Sequence, residues 1–210
     1  MLHHGRRLVW GGLFIAVLGV AVSGCSHRHY KMPSASMYPT IALGTGITAD
    51  VSVKTPQRGD VFVFDYPENP KQSFVKRIVA VAGDRVEVKG HVLSINGVAL
   101  PTCAIGVQSY TDDEGTVHKG DLLLESNGSV RYLVFYDGGT GFDGSWTVKP
   151  GESFAMGDNR NNSHDSRVWF GGMGGGVPSA LLRGKVELGK VALPKDAAAL
   201  EPALAKCMAR

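Results

Sequence analysis

The chain has 210 residues, 43% of them hydrophobic and 20% charged, a globular composition that excludes a disordered or collagen-like polymer. Its 28 glycines, about 13% against a usual ~7%, favour turns and short strands over a helical bundle. The net charge of +3 belongs to the N-terminus, where Arg6, Arg7, Arg28 and Lys31 stand without an acid, so no basic stripe remains for nucleic acid.

Residues 8–26 form an uncharged run after Arg6-Arg7. The strictly apolar part, 8–22, is ~22 Å long as a helix, and the whole run reaches ~28 Å, against a ~30 Å hydrocarbon core. A cleaved secretory signal, a short membrane anchor and a lipoprotein signal all fit residues 1–26 as a membrane-targeting segment. Val22-Ser23-Gly24-Cys25 resembles a bacterial lipobox, which makes Cys25 a lipidation candidate; the alternative is a transmembrane anchor ending in a buried cysteine. Every reading exports the rest of the chain, and two of the three hold it at a lipid surface. The expected location is therefore membrane-anchored, on the extracytoplasmic (periplasmic) side. With Cys25 acylated, Cys103 and Cys207 are left either as a disulfide in an oxidising compartment or as two unpaired thiols. No Cys-x-x-Cys occurs and the histidines are scattered, so no metal site and no cofactor are expected.

Further along, residues 47–53, 61–64 and 74–81 read as strands, by alternation or by short apolar runs. Residues 85–88 and 92–95, ahead of Asn96-Gly97, read as a ribbon closed by a hairpin turn. Residues 122–124, 130–136 and 146–148 add strands, and no 12-residue helical pattern precedes the tail. The expected fold is mainly β: an antiparallel β-sheet core with an inserted β-ribbon or small β domain. Residues 27–97 and 151–194 are assigned to the core and 98–150, rich in Gly, Ser, Thr and Asp, to the insertion. The alanine-rich tail, 195–210, reads as a frayed helix or a disordered segment.

Three segments are dense in chemistry. In Met32-Pro33-Ser34-Ala35-Ser36-Met37-Tyr38-Pro39-Thr40-Ile41, two prolines exclude a helix and impose an extended or turning path. Ser34 and Ser36, two apart, share a side of an extended chain; a Ser-x-Ser in a loop is otherwise commonly solvated. In the apolar run 74–84, Lys76 and Arg77 occupy opposite faces of a strand, so one of them is expected to point inward. A buried lysine loses solvation of its charged form and becomes a usable base, whereas one at a strand end only snorkels. The third segment, 157–167, holds two aspartates, two arginines, three asparagines and two serines with no aliphatic residue, the composition of a surface loop or of a hydrogen-bonded network supporting a site.

Taken together these segments resemble the signature boxes of bacterial type I signal peptidases, the serine-lysine leader peptidase family. Pro-Ser-x-Ser-Met-x-Pro-Thr is met by 33–40, Arg-Gly-Asp-Val-x-Val-Phe by 58–64, Lys-Arg-x-x-x-x-x-Gly-Asp by 76–84, and Gly-Asp-Asn-Arg-x-Asn-Ser-x-Asp-Ser-Arg by 157–167. The resemblance implies a membrane-associated serine endopeptidase that removes N-terminal signal peptides from exported preproteins. It implies Ser36 as nucleophile, Lys76 as general base and Ser163 as the residue orienting the lysine. Ser34 and the Ser36 backbone N–H would form the oxyanion hole. Arg77, Asp158, Asp165 and Arg167 would be the salt-linked support. Preproteins whose signal peptides end in Ala-x-Ala would lie as an added strand beside 31–34 and 74–76. Met32, Pro33, Met37, Ile41, Phe74 and Val75 would line the shallow pockets that receive them.

Two features depart from the family. Five extra residues, mostly glycine, separate Trp169 from Val177-Pro178 in a loop expected close to the site, and a lipobox stands where transmembrane helices are usual. These leave room for a specialised pilin- or conjugation-type processing peptidase of the same superfamily. A catalytically silent exported lipoprotein that binds peptides is disfavoured by the complete Ser36, Lys76 and Ser163 set. A self-cleaving repressor lacks a reason for the export signal.

Overall fold

The computed structural model describes residues 26–112, 114–139 and 141–210. The membrane-targeting segment and Cys25 lie outside the described residues. Among the described residues no helix is long and apolar enough to cross a membrane.

The strands in chain order are β1 (His27–Lys31), β2 (Gly46–Asp50), β3 (Val61–Tyr66), β4 (Asn69–Val81), β5 (Arg85–Lys89), β6 (Val92–Ile95), β7 (Val98–Ala99), β8 (Thr102–Thr111), β9 (Val117–Asn127), β10 (Val130–Asp137), β11 (Gly144–Thr147), β12 (Glu152–Met156), β13 (Val177–Pro178) and β14 (Leu182–Val186), followed by a helix, α1 (Glu201–Met208). All ladders between these strands are antiparallel, so the fold is mainly β. They form three sheets: β1-β2-β14-β3-β4-β12-β13, β10-β9-β8 and β11-β5-β6-β7. Strands from 98–150 fall in two of these sheets, since β11 pairs with β5 while β8, β9 and β10 stand together.

The long strand β4 organises the molecule. Its outer half pairs with β3, placing Phe62 opposite Lys76 and Val61 opposite Arg77. Its inner end pairs with β12 from Arg77 to Val81. On the β12 side, residues 69–75 pair with no strand among the described residues, leaving an open edge. Apolar residues close both faces. Met32, Met37, Ile41, Val61, Val63 and Val75 pack on one, and Phe62, Phe64, Ile78, Ala155, Trp169 and Leu182 on the other. The Asn96-Gly97 turn joins β6 to β7 with both residues at positive φ (54° and 80°), the type I′ geometry that matches strand twist.

The tail is neither frayed nor loose. A 3₁₀ turn, Lys195–Leu200, leads into α1, whose Leu204 and Cys207 pack on Ile105, Leu122, Leu124 and Leu133 of the three-stranded sheet. A Cys103–Cys207 disulfide, with Cα atoms 5.8 Å apart, fastens α1 to β8.

The glycine-rich loop is likewise packed. Trp146 Nε1 donates to the Met173 carbonyl at 2.9 Å, and Gly175 N–H donates to the Ser166 carbonyl at 2.8 Å. Gly174 (φ 75°) is required there, because a Cβ would run into the Trp146 indole nitrogen. The loop sits against β11, and residues 170–176 do not line the cleft described below.

Candidate active site

The segment after β1 does not stay extended. Met32 N–H donates to Thr45 O (2.9 Å), Gly44 N–H to Met32 O (2.9 Å) and Tyr38 N–H to Ala35 O (2.9 Å), folding residues 35–38 into a turn. Met32 and Met37, buried at 2% and 0% exposure, anchor the turn in the apolar cluster. Ser34 and Ser36 still meet: Ser34 Oγ donates to Ser36 Oγ at 3.1 Å.

Strand β4 carries Lys76 to the other side of Ser36, with Lys76 Nζ and Ser36 Oγ 2.5 Å apart. Both are buried, at 4% and 7% exposure. Phe74, with its ring centre 5.4 Å from the amine, walls the site on that side. Burial lowers the lysine from its usual 10.5 to about 8; Asp165 and Asp158 favour the charged form and Arg167 opposes it. An amine with that value is substantially neutral just above physiological pH, so it can accept a hydroxyl proton.

Alternation places Arg77 on the opposite face, and it is buried too, at 2% exposure. Its Nε and Nη2 donate to Asp158 at 2.8 and 2.6 Å, its Nη1 donates to the Gly59 carbonyl at 2.6 Å, and its guanidinium lies 3.9 Å from the Tyr132 ring centre. Thr40, at the end of the serine segment, donates to the same carboxylate at 2.5 Å. The Arg77–Asp158 pair therefore ties the lysine strand to the nucleophile segment.

In the loop 157–167, Arg167 forms a second buried pair, donating to both Asp165 oxygens at 2.8 Å and to the Arg160 carbonyl at 2.7 Å. Burial pushes the Asp165 carboxyl up, but the Arg167 guanidinium and the Gly157 N–H outweigh it and hold the group below its usual range. Ser163 is buried beside Gly157, and its Oγ satisfies hydrogen-bond geometry with no partner, Lys76 included. Gly157 has no room for a side chain: a Cβ would meet Ser163 Oγ and would lie 2.5 Å from the Ser36 carbonyl oxygen.

These groups border an open cleft of about 660 Å³. Met32, Pro33, Phe74 and Val75 line it along with Ser34, Ser36 and Lys76. Met37 and Ile41 do not; the turn directs them into the apolar cluster, where both are buried. Asp112, Glu114 and His118 of the β8–β9 hairpin, with Asn162 and His164, complete the wall. Sequence reading did not single these out: Asp112, Glu114 and His118 lie in a segment with no spacing pattern, His164 fills a variable position of the fourth box, and Asn162 a fixed one to which no role was given. It also passed over Asn159 and Arg160, which the fourth box contains, and Glu125, an isolated acid at the end of an apolar run. Among the described residues no group of three or more His, Cys, Asp or Glu side chains could hold a metal ion.

A serine hydroxyl facing a desolvated lysine amine, in a cleft with an open strand edge, defines the class of serine-nucleophile sites that use lysine as the base. The chain belongs to the signal peptidase family, peptidase S26, whose model matches residues 6–189. It is 33% identical over 159 residues to a signal peptidase I of Pseudomonas aeruginosa, an alignment covering 67% of this chain and 54% of that protein. To a signal peptidase I of Aquifex aeolicus it is 34% identical over 208 residues, covering 82% of this chain and 79% of the relative. The chain thus spans about half the length of the Pseudomonas relative and most of the Aquifex one. A crystal structure of a signal peptidase I from Enterococcus faecalis shares 28% identity and covers 64% of this chain, with a TM-score of 0.37, too loose a superposition to bear on the fold.

Proposed function

We propose that the chain is a membrane-held serine endopeptidase that removes signal peptides from exported preproteins. The carrying observation is the 2.5 Å approach of Ser36 Oγ to the buried Lys76 amine at the floor of a peptide-sized cleft. Neutral Lys76 takes the hydroxyl proton as Ser36 Oγ attacks the scissile carbonyl. The oxyanion is held by the Ser36 backbone N–H and the Ser34 hydroxyl, each such donor being worth ~3 kcal/mol of barrier. As the tetrahedral adduct collapses, the lysine ammonium gives its proton to the leaving amine. Water, deprotonated by the same amine, then releases the acyl group from Ser36. Arg77, Asp158, Asp165 and Arg167 act indirectly, by fixing the strand and loop that carry these groups. Ser163, beside the dyad, takes the role of orienting Lys76 during the reaction.

Main-chain pairing of the preprotein with the open edge of β4 and with residues 31–34 supplies binding without sequence demands. The short pockets walled by Met32, Pro33, Phe74 and Val75 then favour small side chains, as in Ala-x-Ala ends. Residues 1–26 direct the chain to the membrane on the periplasmic side, where Cys25, lipidated at the new N-terminus, holds the site. From Cys25 to Ser36 the chain reaches at most ~36 Å, which keeps the cleft near the lipid surface.

The test is cleavage of a preprotein whose signal peptide ends in Ala-x-Ala by the full chain in detergent, with the cut mapped by mass. Cutting after the second alanine, reduced at least ~10³-fold in Ser36→Ala and in Lys76→Ala, is expected. A folded wild-type chain that leaves the preprotein intact overturns the reading. For Cys25, intact-mass analysis of membrane-extracted protein should show an acylated cysteine at a processed N-terminus; an unmodified Cys25 in an intact N-terminus removes the lipid anchor.

A further inference from the structure

One asparagine holds both peptide units that flank the nucleophile. Asn159 donates its backbone N–H to the Ser36 carbonyl at 3.2 Å and its side-chain amide to the Ala35 carbonyl at 3.1 Å. A peptide unit is planar and trans, so its C=O and N–H point in opposite directions. Fixing the Ala35 carbonyl therefore fixes where the Ser36 N–H points, and that N–H is the oxyanion donor of the mechanism above.

Asn159 does not hold itself. The second hydrogen of its Nδ2 goes to Tyr110 Oη at 2.7 Å, while its Oδ1 is buried without a partner. The terminal torsion of asparagine is broad, so the carboxamide plane needs an outside group to set it. Tyr110 Oη is that group, and it also accepts from Asn162 Nδ2 at 2.9 Å.

Tyr110 belongs to none of the four motifs. It sits near the end of β8, and its buried ring is gripped on several sides. Tyr38 lies 4.4 Å away, Phe135 packs edge-on at 5.6 Å, and His118 lies parallel at 4.8 Å. His118 is in turn fixed by Asp112 at 2.8 Å and Asp137 at 3.3 Å. The β8–β9 hairpin thus presents a rigid acceptor to the loop behind the nucleophile.

We infer that Tyr110 is a positioning residue for Ser36: its hydroxyl orients the Asn159 carboxamide, which aims the nucleophile turn and its oxyanion-binding N–H. The inference rests on the peptidase reading and extends its machinery to a hairpin outside the motifs.

Steady-state cleavage by the full chain in detergent tests it, with Tyr110→Phe set beside Tyr38→Phe. Each change removes one hydroxyl from the same ring pair, but the buried Tyr38 hydroxyl makes no hydrogen bond to Asn159 or to the nucleophile turn. Tyr110→Phe should lower kcat about tenfold, with KM within twofold and the rise of rate with pH unshifted, whereas Tyr38→Phe should keep kcat within twofold. A kcat within twofold of wild type for Tyr110→Phe, a loss carried by KM, or equal losses in both variants overturns the inference. Hydrogen exchange of the peptide spanning residues 32–41 reads the tether without substrate. It should quicken in Tyr110→Phe and not in Tyr38→Phe; unchanged exchange in Tyr110→Phe also overturns the inference. A wild-type chain that cuts nothing ends the peptidase reading, while faster exchange in Tyr110→Phe alone would still uphold the tether.

Discussion

Lys76 is under two opposed demands, since the charge that makes a lysine soluble is the charge that makes it useless as a base. Burial resolves this by lowering its value from 10.5 to about 8. The sign of the pH effect follows. Between about 8 and 10.5 the unfolded chain carries the proton and the folded one does not, so raising the pH through that window stabilises the fold. Below about 8 the folded protein bears the full cost of a buried ammonium, ~3 kcal/mol from the size of the shift. Two outcomes are expected. The kcat/KM for preprotein should rise about tenfold between pH 7 and 9 as the amine becomes neutral. Lys76→Met, inactive, should be more stable than wild type at pH 6 by ~2 kcal/mol in urea denaturation, with the advantage vanishing above pH 10. A pH-independent rate, or a Lys76→Met chain less stable than wild type at pH 6, would show that the amine does not titrate in this range.

At the scale of elements, the short α1 is an unlikely helix by itself, because eight residues do not repay the cost of nucleation in water. It persists through Leu204 and Cys207 packed on the three-stranded sheet and through the disulfide to β8. That bond closes a loop of 104 residues, for which chain-entropy arguments give ~4–5 kcal/mol against the unfolded state. Replacing Cys103 and Cys207 together by alanine should lower stability by about 2–4 kcal/mol and expose α1 amides to exchange; a midpoint in urea unchanged from the oxidised wild type would assign the helix to packing alone. The same element marks where sequence reading runs out. Alanines around Pro202 carry no 12-residue periodicity, so the pattern reads as fraying, and only the distant Leu122, Leu124 and Leu133 reveal what the helix covers. Strand β12 escaped for a related reason: Ser153, Phe154, Ala155 and Met156 are buried on both faces, leaving no alternation to read. The Asn96-Gly97 turn and the strand around Lys76 were legible because turn chemistry and an interrupted apolar run are local signals. Ser36 and Lys76 were legible through short motifs, whereas Tyr110, Glu125 and His118 act on those motifs from 34 to 89 residues away from Lys76 or Ser36 in the chain, with nothing beside them to mark it.

Across the whole molecule, the loop 157–167 is strung between two sheets by buried polar links. On one side Asp158 takes Arg77 of β4; on the other Arg160 donates to both Glu125 oxygens at 2.6 and 3.0 Å, and Tyr132 donates to the same carboxylate at 2.7 Å. Backbone bonds run in parallel, from Phe135 N–H to Asp158 O at 2.9 Å and from Arg160 N–H to Phe135 O at 2.8 Å, and Asn127 Nδ2 reaches the Val79 carbonyl at 2.9 Å. The three-stranded sheet is therefore the backing of the active site. Glu125 and Arg160 are 0% and 1% exposed, so removing one partner leaves a bare charge in the interior. Glu125→Ala should cost about 3–5 kcal/mol in chemical denaturation, far more than a surface ion pair. The double change Glu125→Leu with Arg160→Met should recover most of that loss, because desolvation falls away with both charges. Stability and activity should then part company. Apolar packing can refill the volume, but it cannot set the rotation of the loop about Asn159, so the double variant should remain several-fold slower in kcat at unchanged KM. A double variant with wild-type kcat would mean that the backbone bonds through Phe135 alone register the catalytic loop, and that the ion pair serves only the fold.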